Sequence, residues 1–292
     1  MLKKRNLTSA YRLGRQSMSK CYMITLPREE GLKMCKQFAR INTFIWNHDI
    51  HKWVIGAEKG KKGYNHWQIR MMGMNQDKDV VDKDTGVVKE KGFFSQVKEE
   101  ISQKAHVEVA SDHWEYERKE GMFWAWDDTK EVRQCRFGHP RGWQREVINN
   151  LMTQSDRQID FIYNPKGNEG KSWLTGHLYE TGKAWIVDVD GAEHIPRDVA
   201  NLVEKRGYRP IVVFDIPRTS KATKQDEIFT ALEKVKDGLI TDARYSCSIV
   251  HIRGVKVIVF SNKGLDFTKL SDDRWRYWQL ESGKLTGKKG VR

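Results

Sequence analysis

Apolar and polar positions change period several times along the chain, and each change marks an element. Residues 20–27 (KCYMITLP) read as a strand. Over residues 29–46, Leu32, Cys35, Phe38, Ala39 and Ile45 recur close to a helical period. Trp53-Val54-Ile55 reads as a second strand, followed by a Gly/Lys turn, and His66 to Met72 alternates as a third. In that third strand a period of two sets His66, Gln68 and Arg70 on one face and Trp67, Ile69 and Met71 on the other. Residues 75–92 are charged and predict a solvated loop or hairpin insert, and Phe94, Val97 and Ile101 then fit a helix face. Strands bracketing helices predict a small α+β domain over residues 20–126.

The character changes after Trp126. Residues 127–143, polar with Gly and Pro, predict a linker. From Gln144 onward, helix and strand patterns alternate through IDFIY, AWIVDV, IVVFD and VKVIVFSN. Such alternation predicts a second, α/β domain over residues 144–285, with a mostly parallel sheet covered on both faces. Basic tails are expected at residues 1–19 and 286–292.

Composition narrows the classes. The 292 residues carry 52 Lys+Arg against 39 Asp+Glu, a formal charge of +13 that points to polyanions, nucleic acid first. No apolar run approaches the roughly 18–20 residues of a membrane span, and the basic N-terminus lacks the apolar stretch of a signal peptide. None of the four cysteines stands in CxxC spacing, so neither a zinc knuckle nor a redox pair is expected.

Two constellations carry chemistry. In the first, the segment Phe161 to Ser172 (FIYNPKGNEGKS) follows a strand and precedes a helix. Backbone amides of such a turn cradle phosphates at a helix N-terminus. Gly167 and Gly170 shape the loop, Lys171 reaches the β/γ-phosphates, and Ser172 binds Mg²⁺. The strict pattern has Gly at 165, where this chain has Pro165; Asn164 takes the first Gly place of a longer variant, a position where Asn tolerates positive φ. Asp215 ends an apolar strand and suits Mg²⁺ through water, though Ile216 stands where a second acid is usual. Asn262 ends another strand as a γ-phosphate sensor, and Arg274 is a candidate arginine finger whose alternative is a surface ion pair with Asp272 or Asp273.

The second constellation lies upstream. His66 and Gln68 converge on one strand face, and Glu58 can add a carboxylate from the neighbouring strand end. One imidazole nitrogen with two oxygens suits Mg²⁺ or Mn²⁺ better than structural Zn²⁺. Tyr116 and Lys119, three apart, share a face if helical. A phenol near a cation is a candidate nucleophile, because its ordinary pKa of about 10 needs lowering.

Cys21-Tyr-Met-Ile-Thr-Leu-Pro27, Glu58 with His66-x-Gln68, and Tyr116-x-x-Lys119 resemble, in order, the three motifs of HUH endonucleases. The phosphate loop, Phe214-Asp-Ile-Pro-Arg218, Val259-Phe-Ser-Asn262 and Leu270-Ser-Asp-Asp-Arg-Trp275 resemble a superfamily 3 helicase. The pair in this order is similar to the replication-initiator (Rep) proteins of circular single-stranded DNA viruses, most of all the smacovirus and nanovirus branches. His-x-Gln in place of His-x-His, Asn164, and the single acid at Asp215 depart from the family pattern.

The resemblance implies an HUH domain joined to an AAA+-like ATPase. Tyr116 would nick single-stranded DNA in an origin hairpin loop beside a metal on Glu58, His66 and Gln68, leaving a 5′-phosphotyrosyl link and a 3′-OH for a host DNA polymerase. Lys119 would position DNA or balance the phenolate. ATP with Mg²⁺ would power unwinding by a hexameric ring, with Arg274 reaching a neighbour's site. Residues 237–253 resemble a DNA-gripping hairpin carrying Arg244, Tyr245 and Arg253. A host-nuclear location and no membrane partner follow. Two other readings stay open: a P-loop ATPase acting on RNA whose first domain merely binds, and a DNA-binding regulator.

Overall fold

The computed structural model describes residues 20–60, 62–73, 76–219, 224–242 and 248–288. The basic segment expected at 1–19 and the last residues of the one expected at 286–292 lie outside these. The chain divides into two compact units, Met1–Arg118 with Met122–Asp127, and Lys119–Gly121 with Asp128–Arg292. Both mix helix and sheet. No helix among the described residues is long and apolar enough to cross a membrane.

The first unit runs β1 (Lys20–Pro27), α1 (Gly31–Asn47), β2 (Lys52–Lys59), β3 (Asn65–Gly73), the small hairpin β4 (Val80–Val81) and β5 (Val88–Glu90), α2 (Phe93–Glu100), β6 (His106–Ala110), a 3₁₀ turn at Tyr116–Arg118, and β7 (Phe123–Ala125). Its five-stranded sheet has the order β6-β1-β3-β2-β7, antiparallel throughout. Alternation sorts the two faces. Tyr22, Ile24 and Leu26, Ile55 and Ala57, and Trp67, Ile69 and Met71 pack beneath Ile41 and Phe44 of α1 and Phe93 and Val97 of α2. The opposite face holds a smaller apolar cluster of Cys21, Val54, Trp114, Phe123 and Ala125, and beside it the polar residues considered below.

The second unit continues with α3 (Lys130–Phe137), α4 (Gly142–Met152), β8 (Ile159–Tyr163), α5 (Lys171–Glu180), β9 (Ala184–Val187), α6 (Ile195–Arg206), β10 (Ile211–Ile216), α7 (Gln225–Asp237), the hairpin β11 (Leu239–Asp242) and β12 (Ser248–His251), β13 (Lys256–Ser261), β14 (Trp275–Glu281) and β15 (Lys284–Lys288). The sheet order is β15-β14-β8-β13-β10-β9, parallel except for the β14–β15 hairpin. One face packs on α6 and α7 through Phe161, Val212, Phe214 and Val259. The other packs on α4 and α5 through Ile162, Val213, Ile258 and Phe260 against Trp143, Val147, Leu174 and Leu178.

Five elements depart from the sequence expectation. The linker expected at 127–143 contains α3, capped where Thr129 Oγ1 accepts from the Val132 amide at 3.1 Å. Polar composition hid it, because α3 is held by charge: buried Arg136 bonds Asp128 and Glu180, each at 2.7 Å. Strands β6 and β7 were not read, the first having most of its residues exposed and the second being three residues long. Nor were β14 and β15, whose mixed pattern follows the last apolar run.

One buried charge network predicts a pH response. Lys236 is fully buried, its Nζ donating to Gln154 Oε1 at 2.6 Å and to the Val255 carbonyl at 2.9 Å. Burial, then the nearby Lys256 charge, pushes its ammonium from the ordinary 10.5 down to about 7. Between those values the unfolded chain binds the extra proton, so this group makes stability rise with pH. In urea titrations from pH 7 to 10 the wild-type midpoint should rise more steeply than that of Lys236→Met; parallel slopes would refute the assignment.

Candidate functional site

In the first unit, cross-strand register brings the three expected metal-binding residues onto one sheet face. Glu58 lies directly opposite His66, and Gly56 opposite Gln68. His66 Nε2 stands 3.6 Å from Glu58 Oε2. Its Nδ1 lies 3.2 Å from the Tyr64 carbonyl, which can only accept, so Nδ1 donates there and Nε2 is the nitrogen turned toward Glu58. Gln68 Oε1 accepts from Thr25 Oγ1 at 2.9 Å. Among the described residues no group of three or more His, Cys, Asp or Glu gathers. The set here is one imidazole, one carboxylate and one amide, two hard oxygen donors beside a borderline nitrogen, which fits Mn²⁺ or Mg²⁺.

The 3₁₀ turn Tyr116–Arg118 is seated on that same face. Arg70, on the His66 and Gln68 side of β3, donates from Nε to Glu117 Oε1 at 2.9 Å, with both side chains buried. Its Nη1 donates to the Ser111 carbonyl at 2.5 Å. A Cβ on Gly56 would collide with the Glu117 carbonyl and lie 3.3 Å from the Gln68 carbonyl, so only glycine lets the turn come this close. Breaking the buried Arg70–Glu117 pair from one side would cost about 3–5 kcal/mol, since the remaining charge has no water to return to. Tyr116 itself keeps 53% of its surface exposed. The turn is 3₁₀ rather than α-helical, and Lys119 falls on the short segment Lys119–Gly121 that packs with the second unit.

Gly56→Ala should therefore displace the turn and lower the stability of this unit by about 1–3 kcal/mol. Chemical unfolding would register the loss; an unchanged midpoint would mean that the turn does not depend on this close approach.

In the second unit, parallel register sets the C-terminal ends of β8, β13 and β10 side by side, Tyr163 beside Ser261 and Ser261 beside Ile216. The loop leaving β8 turns through Gly167 (φ 74°), Asn168 (φ 59°) and Gly170 (φ 85°) and enters α5 at Lys171. Asn164 does not take the positive φ expected of it. It is buried and acts as a bracket instead: Nδ2 donates to the Leu280 carbonyl at 2.9 Å, Oδ1 accepts from Lys171 Nζ at 3.3 Å, and its carbonyl accepts from Asn262 Nδ2. Lys171 is buried; desolvation depresses its ammonium, the Asp215 charge opposes this and the Arg218 charge adds to it. Burial likewise raises the Asp215 carboxyl, with Lys171 opposing. Gly167, Gly170, Lys171, Asp215 and Asn262 thus share one edge, and Ser172 is exposed in the first turn of α5.

Arg274 is placed otherwise than expected. Its guanidinium is buried and faces Asp237 at 3.3 Å and Glu233 at 3.4 Å, both on α7, while Asp273 pairs with Arg157. It is not an exposed finger in this chain; to reach a neighbour it must first leave these carboxylates. The β11–β12 hairpin is present, but its tip, with Arg244 and Tyr245, lies outside the described residues. Arg253 stands past its second strand, exposed and 3.2 Å from Asp156.

Sequence reading gave no role to Arg70, Glu117 and Gly56 at the first site or to Arg218 at the second. Arg218 Nη2 donates to the Lys166 carbonyl at 2.7 Å and would meet any Cβ on Gly167. The period-two pattern put Arg70 on the polar face; nothing in the sequence signalled its partner.

No family model matches the chain. Individual relatives do. It is 31% identical over 136 residues to a protein named Para-Rep C1 of Faba bean necrotic yellows C1 alphasatellite, 46% of each chain. It is 33% identical over 121 residues to the master replication protein of Banana bunchy top virus, 41% of this chain and 38% of that one. A longer match, 28% over 229 residues, covers 75% of this chain and 77% of the Para-Rep C1 of Faba bean necrotic yellows C11 alphasatellite. The chain spans about half the length of the first two relatives, and more of the third. These similarities are to viral replication proteins. The chain is a relative of the Rep proteins of the nanovirus and alphasatellite group.

Proposed function

We propose that the chain initiates rolling-circle replication, the first unit cutting and rejoining single-stranded origin DNA and the second hydrolysing ATP for unwinding. The observation that carries this reading is the seating of an exposed Tyr116 on the sheet face that holds Glu58, His66 and Gln68, through Gly56 and the Arg70–Glu117 pair. A purely binding surface has no need of a tyrosine-bearing turn anchored on the face of metal-binding donors.

Tyr116 Oη attacks the scissile phosphorus in line. The phenolic O–P bond forms, the bond to the 3′-oxygen breaks, the phenol proton is given up, and the leaving oxygen takes one. Glu58, His66 and Gln68 would hold Mg²⁺ or Mn²⁺, which supplies Lewis-acid polarisation of the phosphate. The product is a 5′-phosphotyrosyl enzyme with a free 3′-OH that a host polymerase in the nucleus extends. Attack of a new 3′-OH on the same phosphorus releases Tyr116 and reseals the strand without ATP. Lys119 positions the DNA or balances the charge of the phenolate.

In the second unit the amides at Gly167 to Lys171 take the β- and γ-phosphates, Lys171 neutralises them, and Ser172 and Asp215 attend the Mg²⁺. Asn262, tied to the loop through Asn164, senses the γ-phosphate. The basic chain and the β11–β12 hairpin with Arg253 suit a ring of copies that follows single-stranded DNA.

Incubation with a single-stranded hairpin oligonucleotide and Mn²⁺ should give a protein–DNA complex that survives denaturation. DNA binding and ATP hydrolysis without any such complex would instead make the chain a DNA-binding ATPase.

A further inference from the structure

A cavity of about 350 Å³ lies between α3, α4 and the first turn of α5, within the second unit. That volume falls in the range of small-molecule sites. It is lined by Gln134, His139, Arg141, Gln144 and Trp173, and by Gly170, the last residue of the phosphate loop. Gln144 ties the cavity to the loop at both ends of its amide. Nε2 donates to the Gly170 carbonyl at 3.0 Å, and Oε1 accepts from the Arg141 backbone at 2.7 Å.

Trp173 is the planar wall. One of its faces is stacked on His177 (ring centroids 5.1 Å apart, 12° between planes), and His177 Nδ1 donates to the Cys135 carbonyl of α3 at 2.7 Å. Burial lowers the pKa of this imidazole, in keeping with a neutral ring locked in packing. The Arg136–Glu180 ion pair holds α3 to the far end of α5. At the floor, a Cβ on Gly138 would lie 2.9 Å from Trp173 Cζ2, so the missing side chain keeps the ring's surroundings open. Helix α3, which composition disguised as a linker, is thus one wall of a built pocket.

We propose that this cavity is the nucleobase site of the nucleotide whose phosphates sit on the loop, with Trp173 as its stacking platform and α3 as its lid. The assignment rests on the phosphate-loop reading above and deepens it. A ligand held by its β- and γ-phosphates at Gly170 and Lys171 carries its base one α-phosphate and one ribose away, and the cavity begins at Gly170. Each end of the Gln144 amide is held by one hydrogen bond within the protein, which fixes it as part of the wall, and recognition is assigned to stacking and to the exposed amide of Gln134.

The test compares Mg·ATP with Mg·tripolyphosphate, which has the phosphates but no base, by calorimetry on the full chain. Wild type should bind ATP more tightly than tripolyphosphate. Trp173→Ala should weaken ATP by about tenfold, the scale of one base–aromatic stack, and leave tripolyphosphate unchanged; Trp173→Phe should restore most of the loss. Gln134→Trp, at an exposed position that fills the cavity, gives an independent arm with the same selective loss. An unchanged preference for ATP in Trp173→Ala and Gln134→Trp, or equal loss of both ligands, overturns the base site while Lys171-dependent tripolyphosphate binding leaves the loop reading standing. Failure of wild type to bind either ligand would overturn the loop reading, and the base site with it.

Discussion

Tyr116→Phe should abolish the denaturation-resistant DNA adduct and strand cleavage, by at least about 10³-fold, while ATP hydrolysis stays within twofold of wild type. The substitution removes one oxygen from a half-exposed ring and leaves Gly56 and the Arg70–Glu117 pair, which seat the turn, in place. Unchanged thermal unfolding is the control. The reading is specific to that atom: an adduct of undiminished yield would dismiss Tyr116 as the nucleophile. The divalent ion enters as a second lever. Chelation should suppress the same adduct, and His66→Ala should do so even at saturating Mn²⁺, since it removes the nitrogen that faces Glu58.

Lys171→Ala should reduce ATP hydrolysis by about 10²–10³-fold, the scale lost when one preorganised electrostatic contact to a reacting phosphate is deleted, and leave strand nicking unaffected. Lys171 is buried; among the described residues its hydrogen bond is to Asn164 Oδ1 at a long 3.3 Å, and desolvation with the Arg218 charge outweighs the favourable Asp215 charge. A polyphosphate supplies further negative charge to an ammonium kept in this way. Loss of nicking in the same variant would show that the two activities are coupled rather than separately housed in the two units.

How much of this was legible beforehand differs between the two sites. The phosphate loop was readable because its chemistry is local: a strand, a glycine turn and a helix start follow one another within the segment Phe161 to Ser172, and chain connectivity alone holds them together. Even there the role of Asn164 was misjudged. Positive φ was expected from residue type, whereas the structure uses its amide to join β8 to residues near 262 and 280. The partners of Arg274 were illegible for the same reason, Glu233 and Asp237 lying on a helix some forty positions upstream.

Strand periodicity in His66 to Met72 assigned the faces of β3 correctly and so named His66 and Gln68 as convergent. Alternation is a property of the backbone, and each residue carries its face with it. Whether Glu58 would stand opposite His66, whether the turn of Tyr116 would land on that face, and that Arg70 and Gly56 would hold it there depended on strand register and on contacts between residues some fifty positions apart. Such contacts leave no local trace in composition or period. The linker that became α3 makes the same point: its helix is stabilised by Asp128 and by Glu180 of α5, and only their meeting around Arg136 creates the wall of the cavity beside the loop.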